Sequence, residues 1–486
     1  MKLNFQAYKD KVYACWIGKN IGGTIGTPYE GQRKMHDIQG FATAANVVLP
    51  NDDLDLQLVW LMAVERSGIS KIDACTLGEY WLSYITPHWN EYGIGKANMK
   101  LGIQPPISGE SFNTWKHSNG AWIRTEIWAC LAPACPDVAM KYAYEGACVD
   151  HGTSDGTTAA MFVAAIESAA FVENDIRKLL EIGLSKIPAD CRLYKSVRIL
   201  MDCYDKGLDY KAAREAIFRS NADLGDGWFE APSNVAYAML GLLYGEGDFK
   251  KSIIYAVNCG DDTDCTGATV GSILGIMGGT AGIPEDWKAH IGDAISTISI
   301  GVGRIDNQTV PKTCTQLTEQ VIAQAPRVLA YNGADVSFTD GADEIPADIY
   351  EKILADNSFA KDLCARKEYT FRTDFAYASC YMTLEGDPKI QAGGSFKVHA
   401  RFVSNYHEFA CPPYLLKFRW LLPEGFTVKG PKSVILPEFN SHYNAQIEVD
   451  FEIIAPENPE AINRCVLEAL ADGRFTAGYM PITLLA

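Results

Sequence analysis

The apolar residues of this 486-residue chain repeat with a helical period over roughly the first 325 positions and with a strand period over the last hundred. One chain must therefore build two differently constructed cores, and its length is itself more than one ordinary core accommodates. In the first part Leu56, Val59, Trp60, Ala63 and Val64 fall on one helix face. Ala160, Val163, Ala164, Glu167, Ser168 and Phe171 form another, made mostly of small residues. Residues 194–205, 210–220 and 233–244 continue the pattern, with Gly, Pro and Asp between them. Near the end of the chain Phe396, Val398, Ala400 and Phe402 alternate within 395–403. Residues 416–422, 433–436, 446–454, 465–469 and 476–484 read as further strands, separated by the turn signals Pro423-Glu424-Gly425, Gly430-Pro431 and Asp472-Gly473. The expected organisation is a helical domain over 1–325, a connecting segment over 326–375 and a smaller all-β, immunoglobulin-like sandwich over 376–486.

Charge narrows the partners. A formal net charge of −17 repels phosphate backbones and argues against nucleic acid. A phosphate-bearing small ligand stays compatible, because a bound cation can reverse the local field. The opening residues lack the apolar stretch of a secretory signal, so the expected compartment is the cytoplasm. Fourteen cysteines without a CxxC pair read as reduced, mostly buried thiols rather than a disulfide framework or a zinc site. Residues 265–284 carry no charge, but their repeated glycines suit a closely packed core helix followed by a loop better than a membrane span.

Two acidic segments stand at helix starts: Pro50-Asn51-Asp52-Asp53-Leu54-Asp55 and Gly260-Asp261-Asp262-Thr263-Asp264-Cys265-Thr266. Either alone reads as a cap facing the positive end of the helix dipole, with Asn51 a good N-cap. Together they offer more carboxylates than capping needs, and packing them side by side is costly unless a cation neutralises them. Oxygen donors of this kind suit hard cations such as Mg2+, Mn2+ or Ca2+.

Several segments, in order, resemble the ADP-ribosylglycohydrolases, including the dinitrogenase reductase-activating enzymes. Gly18-Lys19-Asn20-Ile21-Gly22-Gly23 through Gly26-Thr27-Pro28-Tyr29-Glu30-Gly31 resembles the opening helix and its glutamate loop. Asn51-Asp52-Asp53 is similar to the first metal motif, Ser118-Asn119-Gly120-Ala121-Trp122-Ile123-Arg124 to the ligand-contacting segment, and Gly260-Asp261-Asp262-Thr263-Asp264 to the second metal motif. His151 stands where the family places a histidine before a long small-residue helix. The resemblance spans about residues 10–300 and implies an all-α orthogonal helical bundle, to which the β domain is an addition. It further implies Mg2+, usually two ions, held by Asn51, Asp52, Asp53, Asp262 and Asp264. Glu30, Asp53 and Asp262 would be catalytic, and Asn119, Gly120, His151 and Gly152 would meet the substrate. Three departures stand out: Asn51 and Leu54 replace hydroxyl residues, and Cys265 occupies a usual threonine ligand position, with Thr266 beside it.

The implied activity is metal-dependent hydrolysis of the ribosyl C1 bond of a protein-linked or small-molecule ADP-ribose conjugate. Two alternatives stay open: a furanosidase acting on a nucleoside-like or carbohydrate substrate, and a non-catalytic ADP-ribose binder. Trp81, Trp89, Trp115, Trp122 and Trp128 bear on the first, since aromatic faces suit sugars, although core packing is the favoured reading of such a group.

Overall fold

The computed structural model of the chain describes residues 1–224, 228–300, 310–404, 413–437 and 445–486. Its helices are α1 (Phe5–Gly26), α2 (Asp52–Ser67), α3 (Ala74–Tyr84), α4 (Asn90–Lys100), α5 (Ile107–Glu110), α6 (Glu126–Leu131), α7 (Pro136–His151), α8 (Asp155–Ala169) and α9 (Ile176–Ser185). There follow α10 (Arg192–Asp205), α11 (Tyr210–Ser220), α12 (Ala231–Gly245), α13 (Phe249–Asn258), α14 (Thr263–Gly278), α15 (Glu285–Ile291), α16 (Cys314–Tyr331), α17 (Ile349–Ala355) and α18 (Ser358–Cys364). The strands are β1 (Lys2–Asn4), β2 (Ser337–Thr339), β3 (Thr370–Asp374), β4 (Ala378–Leu384), β5 (Ser395–Ser404), β6 (Tyr414–Leu421), β7 (Thr427–Lys429), β8 (Ser433–Leu436), β9 (Gln446–Ile454), β10 (Ile462–Ala471) and β11 (Ala477–Leu485).

The chain divides into two compact units. The first, Met1–Gly93 with Thr114–Ala365, is helical apart from the short parallel pair of β1 and β2. Asp73, Asp175, Asp209 and Asp248 start α3, α9, α11 and α13 by accepting a backbone N–H of the first turn. Helices α8, α12 and α14 are buried almost all round and form the middle of the unit. The charge-free glycine helix of the sequence is α14, a core element, and among the described residues no helix is long and apolar enough to cross a membrane.

Helices α1 and α14 run antiparallel in close backbone contact. A Cβ on Gly18 would fall 2.0 Å from the Gly271 carbonyl oxygen, one on Gly22 1.9 Å from that of Gly267, and one on Gly26 2.2 Å from that of Thr263. Backbone lies on backbone there, a spacing that only glycine permits.

The second unit, Ile94–Asn113 with Arg366–Ala486, contains two antiparallel sheets, ordered β11-β10-β6-β8 and β3-β4-β5-β9-β7. Inward residues of both, such as Val398, Phe402, Leu416, Phe451, Leu467 and Met480, form one apolar core. Strands β8 and β9 have the bounds the alternation predicts, while β3, β4 and β7 went unread. Strand β4, Ala-Ser-Cys-Tyr-Met-Thr-Leu, is buried over most of its length and carries no Val or Ile alternation to betray it.

The expected division at 325 and 376 needs correction. Residues 326–375 are no connector: α16 ends in them, β2 pairs with β1, α17 and α18 belong to the first unit, and β3 is an edge strand of the second. Residues 94–113 leave the helical unit altogether, and Ile103 and Ile107 are buried in the β core. Local periodicity marks an apolar face but not which core it joins.

Candidate functional site

The glycine-packed pair of α1 and α14 brings the last turn of one helix to the first turn of the other. Thr263 donates its hydroxyl to the Gly26 carbonyl at 2.8 Å. Past α1 the chain makes a single 3-10 turn, Thr27–Tyr29, and reaches Glu30. Gly31 N–H then donates to the Asp261 carbonyl at 2.8 Å, and Asp261 N–H donates to that of Gln32 at 3.0 Å. This short bridge stitches the Glu30 loop to the second acidic segment. The first acidic segment arrives by a similar device: a Cβ on Gly23 would lie 2.1 Å from Asn51 Nδ2, so α1 and the start of α2 also touch at a glycine.

The two acidic segments converge. Oxygens of Asp53 and Asp264 and the Cys265 sulfur lie within 4.8 Å of one another, as do carboxylate oxygens of Glu30, Asp262 and Asp264. Asp264 is common to both groups. Three oxygens here are buried without a hydrogen-bond donor among the described residues: Asp53 Oδ2, Asp262 Oδ1 and Asp264 Oδ1. Burial, reinforced by neighbouring carboxylates, holds the Asp262 carboxyl well above the usual range. Burial likewise raises Asp53, against the pull of Lys19. Asp52 is pushed up to about 6 by burial and then by Asp264. Glu30 is exposed at the rim and is pushed up to about 8, first by the Asp264 charge, then by desolvation and by Asp52.

Glu30, Asp52, Asp262, Asp264 and Cys265 line a cavity of about 350 Å3 together with Trp89, Glu91, Tyr92, Ser118, Asn119 and Gly120, while Asp53 is fully buried and off its wall. That volume is in the range of small-molecule sites. A larger cavity of about 540 Å3 is lined by Lys141, Lys186, Asp335 and Ile353 among others and shares no residue with the acidic one. Chemistry rather than size selects between them.

Other residues singled out in the sequence fall into two groups. Asn119 and Gly120 line the cavity: Asn119 donates to Asp262 Oδ2 at 2.6 Å and accepts from Trp122 Nε1 at 2.9 Å. Gly120 is a glycine by necessity, since a Cβ there would meet Glu91 Oε1 at 2.3 Å. His151 and Gly152, expected against the substrate, stand off the cavity wall. His151 is fully buried, with Nδ1 2.9 Å from Asp150 Oδ1 and Nε2 3.2 Å from the Ser118 hydroxyl. Gly152, at φ 59°, ends α7. Asn51 caps α2, accepting Asp53 N–H at 2.8 Å. Thr266 turns its hydroxyl back onto the Thr263 carbonyl of its own helix, whereas Cys265 donates to Asp53 Oδ1 at 3.3 Å. Of the five tryptophans, Trp81, Trp122 and Trp128 are core, Trp115 is half-buried off the cavity wall, and Trp89, 48% exposed, reaches the cavity.

Comparison with known proteins decides what the arrangement belongs to. The family model for ADP-ribosylglycohydrolases matches residues 4–323. The chain belongs to the ADP-ribosylglycohydrolase family. It is 22% identical to an uncharacterized protein of Archaeoglobus fulgidus over 296 residues, 59% of this chain and 92% of that one. A solved ADP-ribosylglycohydrolase-related protein complex is similar at TM-score 0.45 and 19% identity, covering 67% of this chain and 99% of its own.

Two buried networks brace the acidic groups, and neither was read from the sequence. Behind Asp53, Gln57 donates to Glu126 Oε2 at 2.8 Å and to the Asp53 carbonyl at 2.9 Å, while Lys19 Nζ donates to Glu126 Oε1 at 2.6 Å. Behind Ser118, Arg124 holds Asp150 through both terminal nitrogens at 3.1 and 2.5 Å and lies 4.6 Å over the Trp81 ring. Tyr92 donates to Asp52 Oδ2 at 2.8 Å. Asp55, named in the sequence only as part of the run, takes the backbone N–H groups of Ile298 and Ser299, each at 2.5 Å, and so ties that segment to the cavity edge.

Proposed function

We propose that this chain is a metal-dependent hydrolase that cleaves the ribosyl C1 bond of an ADP-ribose conjugate. The observation that carries the reading is the convergence of two acidic helix starts, 210 positions apart in the chain, with donorless buried oxygens of Asp262 and Asp264 at one cavity and that of Asp53 behind them. The donor set fits a hard divalent cation. It is almost wholly oxygen, and burial among aspartates holds the Cys265 thiol neutral, which disfavours a thiolate-seeking metal. Asp52, Asp53, Asp262 and Asp264 would hold Mg2+, as one ion or two, with the second lone pair of Asn51 Oδ1 available. When bound, such a cation supplies positive charge beside the ribose hydroxyls and phosphates and relieves the crowding of carboxylates.

The residues themselves account for the rest. Hydrolysis adds the oxygen of water to ribose C1 and returns a proton to the leaving atom, through an oxocarbenium-like state. Glu30, exposed at the rim and next to the acidic cluster, would take or give that proton. Asn119, fixed at both ends by Asp262 and Trp122, holds its wall in place, and Gly120 leaves room beside it.

The reading is tested by assaying ADP-ribosyl-arginine, ADP-ribosyl-serine and simple pentofuranosides with Mg2+ and with chelator. Mg2+-dependent release of ADP-ribose that is lost in a folded Asp262→Asn variant supports it. Turnover of pentofuranosides alone would transfer the site to a furanosidase, and binding of ADP-ribose without any turnover would make it a receptor.

A further inference from the structure

We propose that Asp55 is a positioning residue: by pinning the backbone at Ile298 and Ser299 it fixes Ile298, together with Trp89, as an apolar edge of the cavity against which a bound ligand packs. Asp55 lies in the first turn of α2, where a carboxylate ordinarily meets the N–H groups of its own helix. That task is taken, since Asn51 already accepts Asp53 N–H. Asp55 instead reaches a segment 243 positions away, and its Oδ2 accepts the N–H groups of both Ile298 and Ser299. It is fully buried, and its Oδ1 has no hydrogen-bond partner among the described residues. It is outside both groupings of metal-competent atoms, so ligation of a cation does not account for it. Charge-assisted bonds to two successive N–H groups hold a backbone more firmly than neutral ones.

What Asp55 holds is part of the cavity wall. Ile298 is 49% exposed and lines the cavity. The same stretch is bonded to a second segment: the Ser299 carbonyl accepts Thr86 N–H at 2.8 Å and the Thr86 hydroxyl at 3.2 Å, and Ile85 and Ile300 form an antiparallel bridge. Three positions beyond Thr86 stands Trp89, half-exposed and lining the same cavity. Two half-exposed apolar side chains are thus carried by segments bonded to each other, one of them fastened to α2. Asp52, three positions before Asp55 on that helix, lines the cavity directly, so one helix start places both its charge and its apolar edge. An apolar side chain on a fixed backbone contributes to binding without the ordering cost of a free loop.

This assignment rests on the proposed function for its probe, ADP-ribose, and its test separates the two. Full-length wild type, Asp55→Leu, Asp55→Asn and Ile298→Ala are compared by calorimetry in affinity for Mg2+ and, with Mg2+ present, for ADP-ribose, and in amide hydrogen exchange at Ile298 and Ser299. Asp55→Leu should speed exchange at those two amides by about 100-fold and weaken ADP-ribose by about 10-fold, with Mg2+ affinity changed less than about 3-fold. Asp55→Asn keeps an acceptor oxygen and should stay within about 3-fold of wild type throughout. Ile298→Ala, at a half-exposed position that folding tolerates, should weaken ADP-ribose by about 5-fold, and adding it to Asp55→Leu should cost little more. It also keeps the proposal testable if Asp55→Leu does not fold. Faster exchange with unchanged ADP-ribose affinity would make Asp55 a structural support and overturn the assignment, as would an Ile298→Ala variant that binds like wild type. A fall in Mg2+ affinity as large as that for ADP-ribose would make Asp55 part of the metal site and overturn it too. Asp55-dependent binding of ADP-ribose without hydrolysis of any conjugate would sink the hydrolase reading alone. Hydrolysis with an ADP-ribose affinity indifferent to Asp55 would sink the Asp55 assignment alone.

Discussion

A carboxylate oxygen buried without a donor opposes folding, and here several stand side by side at the mouths of two helices. The sign of their effect follows from their raised pKa values. A group that binds its proton more tightly in the folded chain than in the unfolded one favours folding at low pH, and loses that contribution as pH rises through the folded value. With Asp52 near about 6, Asp55 near about 7 and Glu30 near about 8, chelated protein should melt at a higher temperature at pH 6 than at pH 8.5, and Mg2+ should flatten the difference. A flat profile in chelator, measured calorimetrically, would contradict the burial described. Asp262→Asn keeps an oxygen for Asn119 and removes a charge from the cluster. It should stabilise the metal-free protein by about 1 kcal/mol at pH 8 while removing the Mg2+-induced rise in Tm. Asp52, Asp53, Asp262 and Asp264 were legible as two acidic helix starts because together they offer more carboxylates than capping needs. Glu91 and Asp55 were not, because a lone acid acquires meaning only from what buries it. The surroundings of His151 were equally hidden: its ring nitrogens lie against Asp150 and Ser118.

At the level of elements, the site hangs on one helix pair. The glycines at 18, 22 and 26 of α1 meet the backbone of α14, and both acidic groups nearest Glu30 follow from that contact. Gly22→Ala would force a methyl into the Gly267 carbonyl, so the helices must part. The expected cost is about 3 kcal/mol in urea unfolding, with hydrolysis falling alongside because the Glu30 loop and the start of α14 lose their register. Gly278→Ala is the control: nothing lies within 4 Å of its Cβ, and at the end of α14 it should gain up to about 1 kcal/mol. Equal destabilisation by the two changes would show that the pair is not closely packed. The glycine spacing was visible in the sequence; its partner helix, some 245 positions away, was not.

For the whole molecule, the excursion of residues 94–113 is the feature with most consequence. Ile103 and Ile107 are buried in one apolar core with Phe371, Phe396 and Ile482, so the second unit is assembled from two distant stretches of chain. A chain ended after Ala365 should therefore expose both isoleucines. It should aggregate or self-associate in size-exclusion chromatography, while the same truncation carrying Ile103→Ser and Ile107→Ser should behave better. Full solubility of the simple truncation would argue that 94–113 is independent of the β core. Helix α4 begins in one unit and ends in the other, and its first residues, Asn90, Glu91 and Tyr92, line the acidic cavity. A cut at position 325 or 376, where periodicity alone divides the chain, would part residues 94–113 from the strands whose core they complete.

Period, turn residues and runs of like charge are local, and they determined the two kinds of core, most strands of the β unit and the acidic helix starts. Which core a segment enters, which carboxylates share a cavity and which polar atoms lose water depend on contacts between residues tens to hundreds of positions apart. Those contacts are selected by packing over the whole fold, where a glycine against a carbonyl or an acid sealed behind Gly120 has no signature in the neighbouring letters.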